Sequence, residues 1–543
     1  MVVAQEKPDK HYSMGATKDV GPTQERAGLE IAHRVAQRGI INVSRSKHNV
    51  WSLLLMLAVA NFILHMLTND QYGFHRDELP LIDDAYHLDW GYVAYPPVTP
   101  FIMRITLELF GSSLVGVRVF AALTASIVIV LAGFMTRELG GSPHAQILGA
   151  VAVAVAPLVI HIGGRLDYVA FDYLWWVLAS YLIIRLLKSD NPRWWLGIGI
   201  VIGLGMMTKY TMAFLVAGIV GGVLLTEARR FLRSPWLWGG AALSLLIVLP
   251  NLIWQAQHDF VSLDFLNSIH DRDIAIGRTD GFLSEQPVIG ANPFTIPFWI
   301  AGLYFYFRKP EGKPFRALGW MYLIPLLLFI IEKGRSYYLA PAYPMLIVAG
   351  AVVWDQWVAA RPDPQARFIK GISWTLLVAG GVIGVLLLLP VAPINSDVWD
   401  IASEIHDDFV EEIGWQELTQ TVADIHETLP DEEQARTGIL TGNYGEAGAI
   451  NLYGPAHGLP TAISGINSYH LRGYGDPPPD VLIVLGYSQH YLTTQLFQRC
   501  ELAGRVTNRY GVENEETGYP GIFICRGPRK PWSQLWPDIQ HFG

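Results

Sequence analysis

The chain has 543 residues, of which 51% are hydrophobic and only 16% charged, and it contains 18 tryptophans. This composition is too apolar and too aromatic for an ordinary soluble enzyme of this length, and it predicts a membrane protein. The formal net charge of -9 reflects acidic residues crowded toward the end of the chain. No basic stretch typical of nucleic-acid binding is present.

Residues 1–48 are polar and rich in Lys, Arg, Gln and Gly. They lack the apolar stretch and small-residue cleavage site of a signal peptide, so we expect a cytoplasmic, disordered tail there. Residues 49–390 contain apolar runs of the length typical of membrane-spanning helices, and these runs predict about eleven spans. The runs are 51–67, 114–135, 145–162, 173–187, 194–207, 212–225, 236–253, 294–307, 318–331, 345–358 and 373–389.

Lysine and arginine fall in every second connecting segment, which is typical of cytoplasmic loops. An odd number of spans then places residues 391–543 outside, with the N-terminus cytoplasmic, in a multi-pass plasma (inner) membrane protein. The outside segment combines β-rich runs at 481–485 and 521–524 with a helical stretch at 415–428, which predicts a small extracytoplasmic α/β domain. An oxidising compartment favours a disulfide between Cys500 and Cys525, although two free thiols are the alternative.

A dense acidic and aromatic cluster follows the first span, beginning Tyr-Gly-Phe-His-Arg-Asp-Glu-Leu at 72–79. An ionisable residue held at a membrane surface is a functional-site candidate, which here indicates Asp77 and Glu78. The alternative is a solvated pair of loop carboxylates. The aromatic residues and prolines that follow at 90–97 favour a built site over a solvated loop.

A second acidic group lies at 163–172, where Asp167 and Asp172 could converge with Asp77. Helix capping is the alternative for both residues. Arg165 would then be a counter-ion that holds Asp167 in place.

Two cations stand in predicted outer segments, Lys209 in Thr-Lys-Tyr-Thr and Arg335 before Tyr337 and Tyr338. Positive charge on the outer side runs against the orientation rule, and an anionic phosphate at the membrane surface would explain it. Snorkelling of the lysine and an aromatic belt that contacts lipid headgroups are the alternatives.

These motifs, in this order, resemble the bacterial branch of the dolichyl-phosphate-mannose protein mannosyltransferase superfamily. The branch includes glycosyltransferase family 39 and related enzymes with the GT-C fold. The motifs are Arg-Asp-Glu-Leu at 76–79, His-Leu-Asp-Trp-Gly-Tyr-Val at 87–93, Arg-Leu-Asp-Tyr at 165–168, Thr-Lys-Tyr-Thr at 208–211 and Lys-Gly-Arg-Ser-Tyr-Tyr-Leu at 333–339. The resemblance covers about residues 50–390, and the chain departs from many relatives at Tyr95, where they carry a polar or charged residue.

The resemblance implies an α-helical multi-pass GT-C enzyme that transfers a sugar from a polyprenyl-phosphate donor, with inversion, to a hydroxyl of a protein, lipid or cell-envelope glycan. Asp77 would be the base, and one base suffices because a phosphate departs without protonation, unlike the leaving group of a glycosidase. Glu78 and Asp167 would position the acceptor or bind a divalent cation. A cation held by Asp77, Asp167 and His75 is possible, but no tight spacing requires it. The predicted substrate-binding residues are Arg76, Tyr95, Arg165, Asp167, Lys209, Arg335, Tyr337 and Tyr338.

Two other classes of function stay open. A transporter or flippase of lipid-linked saccharides would also need outer cations and buried acids, but transporters commonly show internal repeats, and none is visible. A membrane-anchored glycan-binding module would assign recognition to the C-terminal segment. Its candidate residues for a carbohydrate or acceptor surface are Asn443, Tyr444, Glu446 and Asn467, and ordinary turn and packing roles are the alternative for them.

Overall fold

The structure is a computed structural model that describes residues 50–543, of which Leu53–Gly543 forms one compact unit. The predicted tail at 1–48 lies outside the described residues. Each predicted apolar run lies on one helix or on two consecutive helices, because a backbone in lipid must satisfy its hydrogen bonds internally. The helices of this region are α1 (Val50–Thr68), α2 (Glu78–Tyr86), α3 (Val98–Phe110), α4 (Leu114–Glu138), α5 (Pro143–Ala154), α6 (Pro157–Ile162), α7 (Tyr168–Ser189), α8 (Trp194–Met206), α9 (Met212–Leu224), α10 (Pro235–Gln257), α11 (Val261–Ala275), α12 (Phe282–Glu285), α13 (Ile296–Arg308), α14 (Arg316–Ile331), α15 (Tyr343–Ala359) and α16 (Asp363–Leu388).

Fewer helices than expected are long enough to span a membrane. In residues 50–543, seven helices are long and apolar enough, or up to nine if each of two bent helix pairs is one span. The expected number of about eleven exceeds this because α5 and α8 have only 12 and 13 residues. At 1.5 Å per residue they reach about 20 Å, short of the roughly 30 Å hydrocarbon core.

The C-terminal region contains a five-stranded mixed sheet, which confirms the predicted small α/β region. Its order is β2-β1-β3-β5-β4, with β1 parallel to β2 and β3, and β5 antiparallel to β3 and β4. The strands are β1 (Thr437–Thr441), β2 (Ala462–Ser464), β3 (Val481–Leu485), β4 (Phe497–Arg505) and β5 (Gly521–Pro528). Every residue of β1 and β3 is buried, as expected for strands covered on both faces.

Eight helices of the described chain lie in the same C-terminal region. They are α17 (Asp397–Ile405), α18 (Trp415–Glu427), α19 (Asp431–Gln434), α20 (Tyr444–Tyr453), α21 (Asn467–Leu471), α22 (Gln489–Tyr491), α23 (Glu515–Gly518) and α24 (Trp532–Asp538). Cys500 of β4 stands opposite Cys525 of β5, and the two form a disulfide, as predicted.

The C-terminal region packs directly on the segment between α1 and α4. Leu79 and Ile82 of α2 share one hydrophobic core with Trp415 of α18 and Ile450 of α20. The contact is close because a Cβ atom on Gly448 of α20 would lie only 2.7 Å from the backbone carbon of Leu79. Residues of α20 are therefore held against the segment that contains Asp77.

Candidate active site

Asp77 stands at the N-terminus of α2. Its side chain is 34% exposed, and its Oδ2 lies 3.8 Å from Nδ1 of His75. Its Oδ1 accepts a hydrogen bond of 3.0 Å from the hydroxyl of Tyr444, the first residue of α20. One carboxylate oxygen is thus fixed by the C-terminal region, while part of the group is accessible.

The charges around Asp77 favour its ionised form. Burial opposes ionisation, but the electrostatic effects of His75, Arg165 and Arg76, together with the Tyr444 hydrogen bond, hold the pKa of the Asp77 carboxyl below its ordinary value. Asp77 is therefore a carboxylate near neutral pH and can accept a proton.

Glu78 has a different environment from Asp77, because its side chain is completely buried. Arg118 of α4 donates to it through Nε at 3.0 Å and through Nη2 at 2.6 Å. The backbone N–H groups of His75 and Leu166 each donate to it at 3.0 Å. Since these bonds use both oxygens and no surface is exposed, Glu78 does not fit the predicted role of contacting an acceptor or a cation. It instead ties the Asp77 segment to α4 and to the loop before α7.

Arg165 and Asp167 form a second ion pair beside this segment. Arg165 donates through Nε to Oδ2 of Asp167 and through Nη1 to Oδ1 of Asp408, both at 2.8 Å. Asp167 also caps α7, since its Oδ1 accepts from the N–H groups of Val169 and Ala170 at 2.8 and 3.2 Å. The capping alternative is therefore correct for Asp167, and its filled oxygens disfavour direct substrate contact.

Asp172, the fourth residue after Tyr168 in α7, does not cap the helix. Its Oδ2 accepts a hydrogen bond of 3.1 Å from the Thr211 hydroxyl. It lies in electrostatic range of Lys209, so it balances that cation without forming a direct ion pair.

Lys209 lies between α8 and α9 and is surrounded by tyrosine rings. Its Nζ lies 5.1 Å from the ring centre of Tyr168 and 4.7 Å from those of Tyr337 and Tyr338. Within residues 50–543, no carboxylate oxygen lies within 4.0 Å of this ammonium. Burial lowers the pKa of Lys209, an effect that the nearby Arg335 charge reinforces and that Tyr338, Asp172 and Asp167 oppose. An unpaired cation inside an aromatic cage is suited to bind an anion.

Arg335, in contrast, is already neutralised. Its guanidinium donates to Asp273 of α11 through Nε at 2.5 Å and through Nη2 at 2.8 Å, and the Asp273 carboxylate is nearly fully buried. The fork predicted to hold phosphate is thus occupied by a carboxylate, and Arg335 anchors the segment that carries Tyr337 and Tyr338.

Arg76 and Tyr95 also have internal partners. Arg76 forms an ion pair with Glu515, and its guanidinium lies 4.8 Å over the ring of Tyr444. Tyr95 donates a hydrogen bond of 2.6 Å to Asp84, so the proton of its hydroxyl is already used within the protein.

The tyrosines connect the carboxylate of Asp77 with the cation of Lys209. Tyr168 and Tyr337, which both border Lys209, interact electrostatically with Asp77. Tyr168 and Tyr337 are therefore neighbours of both Asp77 and Lys209, and the Arg335 charge also acts on Lys209.

Comparisons with known proteins identify similar sequences and structures. A model of the dolichyl-phosphate-mannose-protein mannosyltransferase family matches residues 94–254. Lipid A galacturonosyltransferase RgtD of Rhizobium johnstonii is 24% identical over 357 residues, which are 62% of this chain and 72% of the relative. An undecaprenyl phosphate-alpha-4-amino-4-deoxy-L-arabinose arabinosyl transferase of Pseudomonas fluorescens is 26% identical over 322 residues, 55% of this chain and 56% of the relative.

Solved structures show the same fold. ArnT from Cupriavidus metallidurans in the apo state superposes with a TM-score of 0.55 at 14% identity, covering 88% of this chain and 98% of ArnT. The oligosaccharyltransferase of Archaeoglobus fulgidus in complex with Zn and sulfate gives a TM-score of 0.50 at 15% identity, covering 76% of this chain and 62% of the other. The chain is a membrane glycosyltransferase with the GT-C fold, similar to the enzymes of family 39. The resemblance and fold class predicted from sequence are confirmed.

The donor atoms of this glycosyltransferase do not fit the predicted cation site. Asp167 uses Oδ1 for the cap of α7 and Oδ2 for Arg165, and Nε2 of His75 faces the Asp408 carboxylate at 3.4 Å. Among residues 50–543, no group of three or more His, Cys, Asp or Glu side chains is arranged to hold a metal ion. We therefore assign no step to a metal held by these residues.

Several site residues of this glycosyltransferase were not predicted from sequence in their present roles. Arg118 carried a signal, a single charge within an apolar run, which by itself indicates a functional or structural partner. Tyr444 was a candidate only for glycan contact, and Asp273 and Asp408 had no recognisable motif. The partners of these residues lie far away in sequence, so spacing could not identify the pairs.

Proposed function

We propose that this glycosyltransferase moves a sugar from a polyprenyl-phosphate donor to an acceptor hydroxyl with inversion of the anomeric centre. The observation that carries the proposal is that an accessible carboxylate, Asp77, and an aromatic-caged cation, Lys209, share Tyr168 and Tyr337 as neighbours. A base and a phosphate-binding cation at one centre are the two groups that this reaction requires.

Asp77 acts as the general base. The acceptor oxygen attacks C1 of the sugar and loses its proton to Asp77 as the new C–O bond forms. The bond between C1 and the phosphate oxygen breaks, and its electron pair leaves with the polyprenyl phosphate. Because that phosphate departs without a proton, no second carboxyl group has to act as an acid, which fits the internal use of Glu78 and Asp167.

Lys209 stabilises the charge that grows on the departing phosphate. An ammonium that is desolvated by tyrosine rings interacts more strongly with an anion than one in water. The phenol groups of Tyr337 and Tyr338 are next to it and can donate hydrogen bonds to phosphate oxygens. Arg335 contributes positive charge while it stays bound to Asp273.

The comparisons support the class of donor. The arabinosyl transferase relative is named for an undecaprenyl-phosphate sugar, and ArnT was solved with undecaprenyl phosphate at a TM-score of 0.55 and 14% identity. The acceptor in our proposal is a hydroxyl of a lipid, a protein or a cell-envelope glycan. No relative reported above is a flippase, so the transporter alternative has no support.

We also propose that the site faces the extracytoplasmic side of an inner membrane. The basic loops alternate along the chain, and the charge rule places them in the cytoplasm. Asp77, Lys209 and the C-terminal region then lie together on the outer side. The Cys500–Cys525 disulfide is consistent with an oxidising compartment.

The decisive experiment compares Asp77→Asn with Asp70→Asn. Asp70 is a suitable control because it is exposed and, like Asp77, follows the C-terminal end of α1. Purified enzyme is incubated with a panel of polyprenyl-phosphate sugars, and donor consumption is measured. We expect Asp77→Asn to fold normally and lose transfer, whereas Asp70→Asn keeps it. Retained turnover in Asp77→Asn would remove the base assignment, and movement of lipid-linked sugar across vesicles without consumption would favour a transporter.

A further inference from the structure

The C-terminal region places one hydroxyl on the proposed base. Tyr444 begins α20, and its hydroxyl reaches Oδ1 of Asp77 at 3.0 Å. The start of α20 is fixed by a capping box, in which Asn443 accepts from the N–H of Glu446 and Glu446 accepts from the N–H of Asn443. Because two reciprocal bonds hold this turn, the position of Tyr444 is set by the backbone.

The direction of the hydrogen bond is unambiguous. An ionised carboxylate has no proton to donate, so the Tyr444 hydroxyl is the donor. Burial and the neighbouring Asp77 charge raise the pKa of Tyr444 well above its usual range, so the phenol keeps its proton. The Arg76 guanidinium over the Tyr444 ring fixes the orientation of that ring.

We propose that Tyr444 is a positioning residue for the transfer reaction, which binds Oδ1 of Asp77 and leaves Oδ2 to take the acceptor proton. The inference rests on the proposed function, since it assigns a role relative to Asp77 as base. It adds that the C-terminal region is part of the catalytic centre and not only an acceptor-binding surface.

This arrangement has two consequences for catalysis. A carboxylate held at one oxygen has fewer orientations, so less entropy is lost when Oδ2 meets the acceptor hydroxyl. The same bond also favours the ionised base, because it is stronger to a carboxylate than to a carboxylic acid. Loss of the hydroxyl should therefore change both the rate and its pH dependence.

The pH dependence must be attributed to Asp77 among its charged neighbours. These come from its own loop, from the loop before α7, from α7 itself, from the segment before α15 and from α20. The titratable and charged groups that face Asp77 are His75, Arg76, Arg165, Tyr168, Tyr337 and Tyr444. A Tyr444→Phe change leaves all the others in place, and its ring still lies under Arg76.

The test is the pH profile of kcat/KM for Tyr444→Phe against Tyr487→Phe. Tyr487 lies in the same region, and its hydroxyl is buried without a hydrogen-bond partner in residues 50–543, so its removal controls for loss of a buried hydroxyl. For Tyr444→Phe we expect the rising acid limb to move to higher pH and kcat/KM at its acid end to fall roughly tenfold or more. For Tyr487→Phe we expect the wild-type profile.

The outcomes separate this inference from the proposed function. An acid limb that does not move in Tyr444→Phe, while Asp77→Asn is inactive, overturns the role of Tyr444 alone. Active Asp77→Asn overturns both. If Tyr444→Phe does not fold, 3-fluorotyrosine at position 444 is the substitute. As a stronger donor it should shift the acid limb to lower pH, and an unchanged limb would overturn the proposal.

Discussion

Nη2 of Arg118 donates to Oε2 of Glu78 at 2.6 Å, and neither side chain is exposed to solvent. Removing one member of a buried ion pair leaves an uncompensated charge and typically costs about 3–5 kcal/mol. We therefore expect Arg118→Met or Glu78→Gln to lower the free energy of unfolding strongly, measured by denaturant unfolding in detergent. The double variant should recover part of the loss.

The exposed pair of Arg104 and Glu108 provides the control. These side chains are 37% and 62% exposed, and solvent screening limits such a pair to about 0–1 kcal/mol. Arg104→Met should therefore change stability little. Equal effects of Arg104→Met and Arg118→Met would contradict the structural role assigned to Glu78.

The two outer cations should differ in their contributions to the rate. Lys209→Met removes the unpaired ammonium, and we expect kcat to fall by about 10²- to 10³-fold, the range for loss of one electrostatic stabiliser. Arg335→Met removes a charge that Asp273 already neutralises, so a smaller loss of kcat and a lower melting temperature are expected. Single-turnover rates and thermal unfolding test this order, and a larger kinetic loss in Arg335→Met would reverse the assignment.

Glu446 makes stability depend on pH. Burial, reinforced by the Glu516 charge, raises the pKa of the Glu446 carboxyl to about 8. The folded protein thus binds a proton that the unfolded chain releases between about pH 4.5 and 8, so the contribution of Glu446 to stability falls as pH rises through this window. Glu446→Gln should melt at a higher temperature than wild type at pH 8 and about equally at pH 5.

Glu427→Gln, on an exposed position of α18, is the matched control for Glu446→Gln. Its melting curve should follow that of the wild type at both pH values. A Glu446→Gln protein that shows no gain at pH 8 would mean that the carboxyl is already charged in the fold.

The proposed orientation predicts opposite labelling at two exposed positions. Asp431 lies in the C-terminal region and Glu311 in a basic segment between α13 and α14. Since the native cysteines are disulfide-bonded, a single introduced cysteine is the reactive thiol of residues 50–543. In intact cells, a membrane-impermeant maleimide should label Asp431→Cys and not Glu311→Cys, and the reverse pattern would invert the topology.

Much of the fold could be predicted because membrane helices and buried strands are local patterns. The apolar runs mark the helices, and the runs at 481–485 and 521–524 coincide with β3 and β5. The number of full spans was less predictable, since two helix pairs are bent by 101° and 89° at breaks beside the runs 212–225 and 294–307, and such bends depend on packing. Helix α3 lay outside every predicted span, because Arg104 and Glu108 interrupt the apolar character of its 13 residues.

The site was predictable in its location but not in its pairings. The motif around Asp77 can be recognised from neighbouring residues alone. The same is true of Lys209, because a positive charge in a predicted outer segment is unusual. The sequence does not show which charged side chains are free and which already have partners. Glu78 pairs with Arg118, and Arg335 pairs with Asp273, across long stretches of chain. Spacing in sequence gives no information on such contacts. Glu78 and Arg335 were therefore predicted to contact substrate, although their ion-pair partners already occupy their polar groups.

The hydroxyl that holds Asp77 belongs to a residue 367 positions further along the chain. During synthesis the membrane helices are therefore made and inserted before the last part of the catalytic centre exists. A truncated or unfinished molecule would sit in the bilayer with its base unrestrained and would be a poor consumer of a costly lipid-linked sugar. In our proposal the enzyme therefore becomes fully active only when the C-terminal region folds onto α2.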